Sequence, residues 1–190
     1  MILTPDNEYR AVLDACVLIP MPLCDTLLRL AEEPSLYRPL WSASILNEVT
    51  RNLQKKLGRT PDQCEYRIQA MRSAFPEAEI AVPQELLGNA FECVPDANDR
   101  HVLAAAVCGS AHVIVTQNVK HFPQDCLQPF DILCHTPDEF LIHQFHISPT
   151  QVLTKLNEQG ANLGRDRQYV INGLRRMTPS FSDLVSGASI

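Results

Sequence analysis

Short apolar runs alternate with segments of helical periodicity through the first 147 residues of this sequence. The clearest strand candidates are 10–14, 36–41 and 112–116, and helical segments separate them. Strands alternating with helices predict an α/β fold, an α/β/α sandwich with a mostly parallel central sheet. In such sheets ligands bind at the carboxyl ends of the strands. The polar residues that directly follow strands are therefore the candidate functional residues.

Helices are predicted from apolar positions that recur every three or four residues. Ser42 is a good N-cap and Gly58 a natural stop for one of them. The predicted helices cover about 22–32, 43–57, 61–74 and 102–108, with another from Pro137; weaker elements are a helical turn at 84–90 and strands at 79–82, near 91–94 and at 131–134.

The pattern changes beyond about residue 148. Two helices, near 149–158 and 166–177, flank a loop from Gly160 to Gly164. We therefore predict an α/β domain over residues 1–147 and a helical hairpin extension with a frayed tail over residues 148–190.

Composition narrows the class of protein. Seven cysteines occur in 190 residues, with no CxxC pair, which favours a reduced, cytoplasmic protein with free thiols. The apolar runs are too short for a membrane span, so we expect no membrane role. The formal net charge of −6 disfavours a protein held to nucleic acid by bulk electrostatics, although local basic patches remain compatible with it.

Asp14 stands inside the apolar stretch "VLDACVLIP", at the end of the first predicted strand. A carboxylate buried there is costly unless something compensates its charge. The ordinary alternative is a helix or turn cap. Glu48 lies beside the apolar stripe of the helix that follows Ser42, and alone it would be read as solvated surface.

Two further motifs place polar residues near strands or helix ends. Asp96 and Asp99 bracket a helix start in "PDANDRHVLAAA", where either could simply cap that helix. Thr116 and Asn118 follow the most convincing strand, and the alternative for them is a polar turn.

Taken in sequence order, these acids and the polar residues that follow them are all expected beside the crevice in which an α/β sheet binds its ligand. Carboxylates brought together repel one another, and their pKa values rise unless a cation neutralises them. Oxygen ligands without an obvious histidine or cysteine set suit Mg²⁺ or Mn²⁺ rather than zinc.

With these motifs the sequence resembles the PIN-domain nucleases, and among them the VapC-like toxins of bacterial toxin–antitoxin pairs. The resemblance rests on "VLDACVLIP", "SASILNEVTRNL", "PDANDRHVLAAAV" and "VIVTQNVKHFP", and covers roughly residues 10–142. It implies a Mg²⁺- or Mn²⁺-dependent endoribonuclease with an RNA substrate. It also implies a cognate antitoxin protein as partner and a homodimer.

The resemblance assigns roles to individual residues. Asp14, Glu48 and Asp99 match the three metal-binding acids of the family, and Asn118 matches its fourth catalytic position. Asp96 is an auxiliary metal ligand, and Thr116 supports the site through hydrogen bonds. One departure concerns His121, which stands before Phe122 where the family often has an acid.

RNA must also be bound, and a basic strip lies along the helix that carries Glu48 and along its C-terminal extension. Its members are Arg51, Lys55, Lys56 and Arg59, and Arg100 adjoins Asp99. Such a strip could follow a phosphate backbone despite the acidic total. The alternative is a solvated helix face with favourable positive charge at its C-terminal end.

A rival function is a non-catalytic PIN-like module that binds RNA or protein. Another is an α/β phosphatase or receiver domain, but Cys16 occupies the position where the phosphatase needs a second Asp. Cys16 itself is expected to be a small, buried, inert thiol.

Overall fold

The computed structural model describes residues 9–86 and 91–188. Five strands form one sheet in the order β3-β2-β1-β4-β5, and every neighbouring pair is parallel. The strands are β1 (Arg10–Leu13), β2 (Arg38–Ser42), β3 (Glu79–Ile80), β4 (Val113–Val115) and β5 (Leu133–His135). The predicted α/β class with a parallel sheet is confirmed.

Helices account for most of the remaining described residues. They are α1 (Ala15–Leu18), α2 (Met21–Ala31), α3 (Ala43–Leu57), α4 (Pro61–Ala74), α5 (Arg100–Cys108), α6 (Gln124–Leu127), α7 (Pro137–Ile147), α8 (Pro149–Asn162), α9 (Arg167–Leu174) and α10 (Pro179–Ser186). Within residues 9–86 and 91–188, none of them has the length and apolar character needed to cross a membrane.

Strand β1 is the centre of the sheet. Val12 is in register with Leu40 of β2 on one side and with Ile114 of β4 on the other. Residues 11–13 are fully buried in the middle of the sheet, and α5 packs across β1, β2 and β4. The carboxyl ends of all strands lie at one edge, so the residues after β1 and β4 become neighbours there.

Local signals fix the helix that follows β2. The Ser42 hydroxyl accepts a hydrogen bond from the Ile45 amide at 3.3 Å, and Gly58 ends α3 in the left-handed conformation with φ 61°. Both predicted boundary residues are confirmed. The Ser42 cap also fixes the direction in which α3 leaves the carboxyl edge of the sheet, and thus the position of Glu48.

Several strand predictions differ from the structure: β2 covers Arg38–Ser42 instead of 36–41, and β3 keeps only Glu79–Ile80 of 79–82. The strand predicted near 91–94 is wrong, since these residues form a turn in which Phe91 packs edge-on against Phe130. The last strand begins two residues later than expected, since Asp131 has a left-handed backbone with φ 55° that closes the preceding 3-10 turn. The predicted turn at 84–90 is a 3-10 turn at Gln84–Leu86, and residues 87–90 lie outside the described residues.

The C-terminal region differs from the expected hairpin. Helix α8 continues through Gly160 to Asn162, so the connection to α9 is shorter than predicted. The tail is not frayed, since α10 follows, and the Asp138 carboxylate accepts hydrogen bonds from the Ser180 and Phe181 amides at its first turn.

The C-terminal helices pack on the α/β part of the chain. The Thr26 hydroxyl of α2 donates to Gln159 Oε1 of α8 at 2.7 Å, and both side chains are buried. Leu156, Ile171 and Phe181 belong to the same hydrophobic cluster as the sheet. The division of the chain between residues 147 and 148 remains a prediction.

Gly160 is a sensitive point for stability. A Cβ at this position would lie 2.6 Å from the Asp166 carbonyl oxygen, a backbone atom that cannot turn aside. We expect Gly160→Ala to lower the free energy of unfolding by about 1–3 kcal/mol, measured by urea denaturation.

The matched control is Gly173→Ala in α9. Its added Cβ would meet Pro22 at an ordinary 3.5 Å, and alanine favours a helix over glycine by up to about 1 kcal/mol. This variant should be as stable as the wild type or more so. A Gly160→Ala protein with unchanged stability would refute the packing described here.

Candidate active site

Asp14 lies where the chain leaves the central strand. Its amide donates to the Val115 carbonyl at 3.1 Å, and its side chain is only 3% exposed. Although Asp14 is the N-cap residue of α1, its side chain makes no capping hydrogen bond. The carboxylate instead accepts from the Thr116 hydroxyl at 2.6 Å and from the Cys16 thiol at 3.0 Å. The capping interpretation of this carboxylate is therefore wrong.

Thr116 joins the turn after β4 to Asp14. It is fully buried, and its hydroxyl also accepts from the Asn118 amide at 3.0 Å. The Gln117 amide donates to Cys16 Sγ at 3.2 Å, which adds a further hydrogen bond between the two chain segments. The sequence-based prediction that Thr116 and Asn118 lie at this edge of the sheet agrees with their positions.

Cys16 takes a larger part in the site than its sequence suggested. Its thiol contacts both Asp14 and Thr116, at 3.0 and 3.4 Å. Burial raises the pKa of Cys16, and the charge of Asp14 raises it further. The group therefore stays a neutral thiol that donates a hydrogen bond to the buried carboxylate.

Glu48 faces the acids from α3. The Asn52 amide group donates to the Glu48 carbonyl at 3.0 Å and to its carboxylate at 3.4 Å, and His101 Nε2 lies 3.6 Å from the carboxylate. Burial raises the pKa of Glu48, and the charges of Asp14 and Asp99 raise it further, whereas His101 and Arg51 oppose the shift.

Asp99 approaches from the start of α5. Its side chain makes no capping hydrogen bond, and its carboxylate lies 2.5 Å from His121 Nδ1. Burial raises the pKa of Asp99; the His121 hydrogen bond lowers it, and the charges of Asp14 and Asp96 raise it again. Asp99 thus shares a negative environment with Asp14, as predicted.

Asp96 occupies the turn before α5. It accepts hydrogen bonds from the Asn98 amide at 2.9 Å and from the Asn98 side chain at 3.0 Å, which lower its pKa. One donor atom each from Asp96, Asp99 and His121 lies within 4.8 Å of the others. These three could hold one metal ion between them.

Asp14 and Glu48 stand outside that compact group but act on it electrostatically. Glu48 and Asp99 are half-buried, and burial raises the pKa of each before the charge of Asp14 raises it further. Mutual repulsion of this kind is relieved by a cation. The donors are carboxylate oxygens with one imidazole, a set that fits Mg²⁺ and especially Mn²⁺.

His121 is the functional candidate that sequence reasoning missed. In the sequence it is only a replacement for the acid that often precedes Phe122 in the family, but in the structure its ring contacts Asp99 directly. The signal that the sequence offered was this position, immediately before Phe122. The contact depends on the 3-10 turn at Val119–His121, which the sequence did not predict.

The basic residues of α3, and Arg59 just beyond its end, extend away from the acids. Arg51 is close enough to Glu48 to lower its pKa, and Lys55, Lys56 and Arg59 are exposed farther along. Arg100 donates through Nε to the Val94 carbonyl at 3.3 Å, which directs part of its guanidinium to the 91–94 turn. Contact of these five residues with RNA remains a prediction.

A parallel α/β sheet with acids converging at its carboxyl edge defines a class of proteins with a candidate divalent-metal site. Comparison with known families narrows the class: a PIN-domain family model matches residues 10–120. The chain therefore belongs to the PIN-domain family, and the expected α/β/α PIN-like fold is confirmed.

One curated protein matches a segment of the chain. The chain is 57% identical over 49 residues to "Putative ribonuclease VapC50" of Mycobacterium tuberculosis. The match covers 26% of this chain and 29% of the relative, well under two thirds of either protein. The expected likeness to VapC proteins is thus confirmed over that segment.

Replacing Glu48 with glutamine should raise the stability of the protein in the presence of a chelator. The raised pKa of Glu48 means that its charged form opposes folding, and an amide of the same shape removes that charge. We expect a Tm about 1–3 °C higher at about pH 7.5 in EDTA, measured by scanning calorimetry.

This gain should depend on pH. A carboxyl group whose pKa is raised by folding stabilises the folded state below its unfolded pKa, and that contribution is lost as the pH rises through the folded pKa. The advantage of Glu48→Gln should therefore disappear below about pH 4. The control is Glu77→Gln, an exposed position. An equal gain there would refute the electrostatic account.

Proposed function

We propose that this protein is a divalent-metal-dependent endoribonuclease that hydrolyses RNA phosphodiester bonds. The observation that carries the proposal is the cluster at the carboxyl edge of the sheet, where one donor atom each from Asp96, Asp99 and His121 lies within 4.8 Å of the others. Burial, and then the charge of Asp14, raises the pKa values of Glu48 and Asp99, which supports the convergence of these acids. PIN-domain membership and the partial likeness to a protein named a ribonuclease support the same reaction class.

In this proposal Asp14 and Asp99 hold the principal metal ion, with Asp96 and His121 beside Asp99. Bound Mg²⁺ or Mn²⁺ supplies charge neutralisation at the phosphodiester and activates the attacking water. The hydrogen bonds from Thr116 and Cys16 fix one oxygen of Asp14, so its other oxygen is directed for binding.

Glu48 is the proposed group that orients the attacking water, or that helps to hold a second ion. Its raised pKa makes its carboxylate a stronger base than an ordinary glutamate. His101 Nε2 lies 3.6 Å from that carboxylate. Asn118 follows Thr116 at the same edge and completes the proposed polar boundary of the site.

The substrate is held in this proposal by the basic strip of α3. Arg51 lies nearest the acids, and Lys55, Lys56 and Arg59 continue along the exposed face. Single-stranded RNA tracking this strip would bring a phosphate to the acidic edge of the sheet. Arg100 would contact the RNA beside Asp99.

The biological role we propose is that of the toxin of a toxin–antitoxin pair, acting in the cytoplasm as a homodimer. The likeness to a VapC protein supports the role, and seven free cysteines suit a reducing compartment. A cognate antitoxin would inhibit the enzyme by inserting a segment at the acidic site.

The direct test is cleavage of RNA by the purified protein with Mg²⁺ or Mn²⁺. Asp14→Asn keeps the size of the side chain but removes its charge, and should lower the cleavage rate about 100-fold or more. EDTA should abolish wild-type cleavage. Glu77→Gln, at an exposed position away from the site, should cleave at the wild-type rate.

A different outcome would change the assignment. If folded wild-type protein cleaves no RNA with either metal, and calorimetry detects no metal uptake, the catalytic proposal fails. The protein would then be a non-catalytic PIN-domain module that binds RNA or protein.

The basic strip has its own test. In the cleavage-deficient Asp14→Asn background, Lys55→Ala with Lys56→Ala should weaken binding to single-stranded RNA and reduce its salt dependence. Removing two phosphate contacts should lower the slope of log K against log salt by about 1.4. Fluorescence anisotropy would measure both effects.

Arg176→Ala is the matched control, since Arg176 is exposed in the C-terminal region, beyond α9. It should leave affinity and slope unchanged. If Arg176→Ala weakens binding while the lysine pair does not, RNA binds the C-terminal helices and the α3 interpretation is wrong.

A further inference from the structure

Two histidines outside the acidic site contact each other between the last strand and the helix that follows it. His135 is the final residue of β5, and His143 lies in α7. Their ring centroids are 4.8 Å apart, and the ring planes are tilted by 49°. His143 is exposed and His135 is half-buried. Imidazole is the commonest metal ligand among side chains, so a pair of them in contact is a possible metal site.

The Glu139 carboxylate lies beside this pair. Glu139 precedes His143 by four residues in α7, a spacing that places two side chains on the same face of a helix. Its Oε2 accepts hydrogen bonds from the amide and from the hydroxyl of Thr136, both at 2.8 Å. Thr136 directly follows His135, so these bonds hold the carboxylate next to the end of β5. The Thr136 hydrogen bonds lower the pKa of Glu139, and the two nearby histidines lower it further.

The His135 ring has a nitrogen without a hydrogen bond. Its Nδ1 is enclosed by the protein, and no donor or acceptor among the described residues pairs with it. An enclosed polar atom without a partner is unfavourable, and a bound ion would supply one. Burial lowers the pKa of His135, and the neighbouring His143 lowers it further. The ring is therefore neutral at neutral pH, which is the form that binds metals.

We infer that His135, Glu139 and His143 bind Zn²⁺ at a site separate from the acidic edge of the sheet. Two imidazoles and one carboxylate are a ligand set that zinc uses, with a water molecule in the fourth position. Mg²⁺ prefers oxygen ligands and is not expected here. The inference goes beyond the proposed ribonuclease function and does not depend on it.

Binding requires movement of the exposed ligands alone. His135 is held in the sheet, where its carbonyl accepts a hydrogen bond from the Thr116 amide at 3.0 Å. Glu139 and His143 are exposed and can turn toward an ion. Two nitrogens bound to one tetrahedral zinc ion lie about 3.3 Å apart, a separation that the two rings can reach from their present contact. A bound ion would fasten α7 to the end of β5.

The experiment is a Zn²⁺ titration of the full chain by isothermal titration calorimetry. The chain carries Asp99→Asn, because the group of Asp96, Asp99 and His121 could also take the ion. In this background His143→Ala should weaken the binding of one Zn²⁺ ion by about 10-fold or more, since removal of even an outer-shell partner has that effect at other metal sites. Mg²⁺ should not compete for the same ion site.

The matched control is His146→Ala. His146 is also an exposed histidine of α7, and its ring contacts Phe145 instead of His135. This variant should bind Zn²⁺ as tightly as the parent chain. Because His143 and His146 are both exposed, the comparison stays valid even if His135→Ala, at a half-buried position, fails to fold.

NMR of the histidine rings locates the ion directly. Zn²⁺ should shift the ring nitrogen signals of His135 and His143 together and leave the ring signals of His146 unchanged. Glu139→Gln keeps an oxygen that can accept from Thr136 but removes the charge, so it should also weaken the binding of the ion.

Three outcomes would overturn the inference. The first is equal zinc affinity in His143→Ala and His146→Ala, which would mean that thiols or acids elsewhere bind the ion. The second is a titration in which the ring signals of His135 and His143 do not shift, and the third is the absence of zinc binding. None of these measurements uses RNA cleavage, so failure of this inference and failure of the ribonuclease proposal would be seen in separate experiments.

Discussion

The hydrogen bond from the Thr116 hydroxyl to the Asp14 carboxylate is the interaction on which the candidate site depends. It joins the ends of the two central strands, and it places a nearly buried negative charge at the sheet edge. Burying a carboxylate is unfavourable unless hydrogen bonds or opposite charge compensate it. Thr116 and Cys16 supply two hydrogen bonds. Among the described residues no positive side chain forms a hydrogen bond or ion pair with Asp14, which leaves a site suited to a cation.

The rest of the scaffold directs further acids to the same edge. The Ser42 cap sets the start of α3, which carries Glu48, and the turn before α5 carries Asp96 and Asp99. Burial raises the pKa values of Glu48 and Asp99, and the charge of Asp14 adds to both shifts. The binding of a metal ion relieves this repulsion between the carboxylates, so the arrangement favours a bound cation.

The features that could be predicted from the sequence are those that depend on the local pattern of apolar and polar residues. The parallel sheet, the limits of α3 and the position of Asp14 after β1 all follow from local patterns of apolar and polar residues. The contact of His121 with Asp99 could not be predicted, because it joins segments more than 20 residues apart through a turn without periodicity. The strand predicted near 91–94 is wrong for the same reason, since Phe91 in this turn packs on Phe130, which is distant in the sequence.

Locating Mn²⁺ by anomalous X-ray diffraction from crystals of the wild-type protein would test the central claim most directly. The account predicts an anomalous peak at the carboxyl edge of the sheet, bound by Asp14 and Asp99, and its loss in Asp14→Asn crystals soaked in the same way. A well-ordered site without a peak at saturating Mn²⁺, or a peak that persists in Asp14→Asn without its side chain as a ligand, would contradict the claim that Asp14 organises a metal centre.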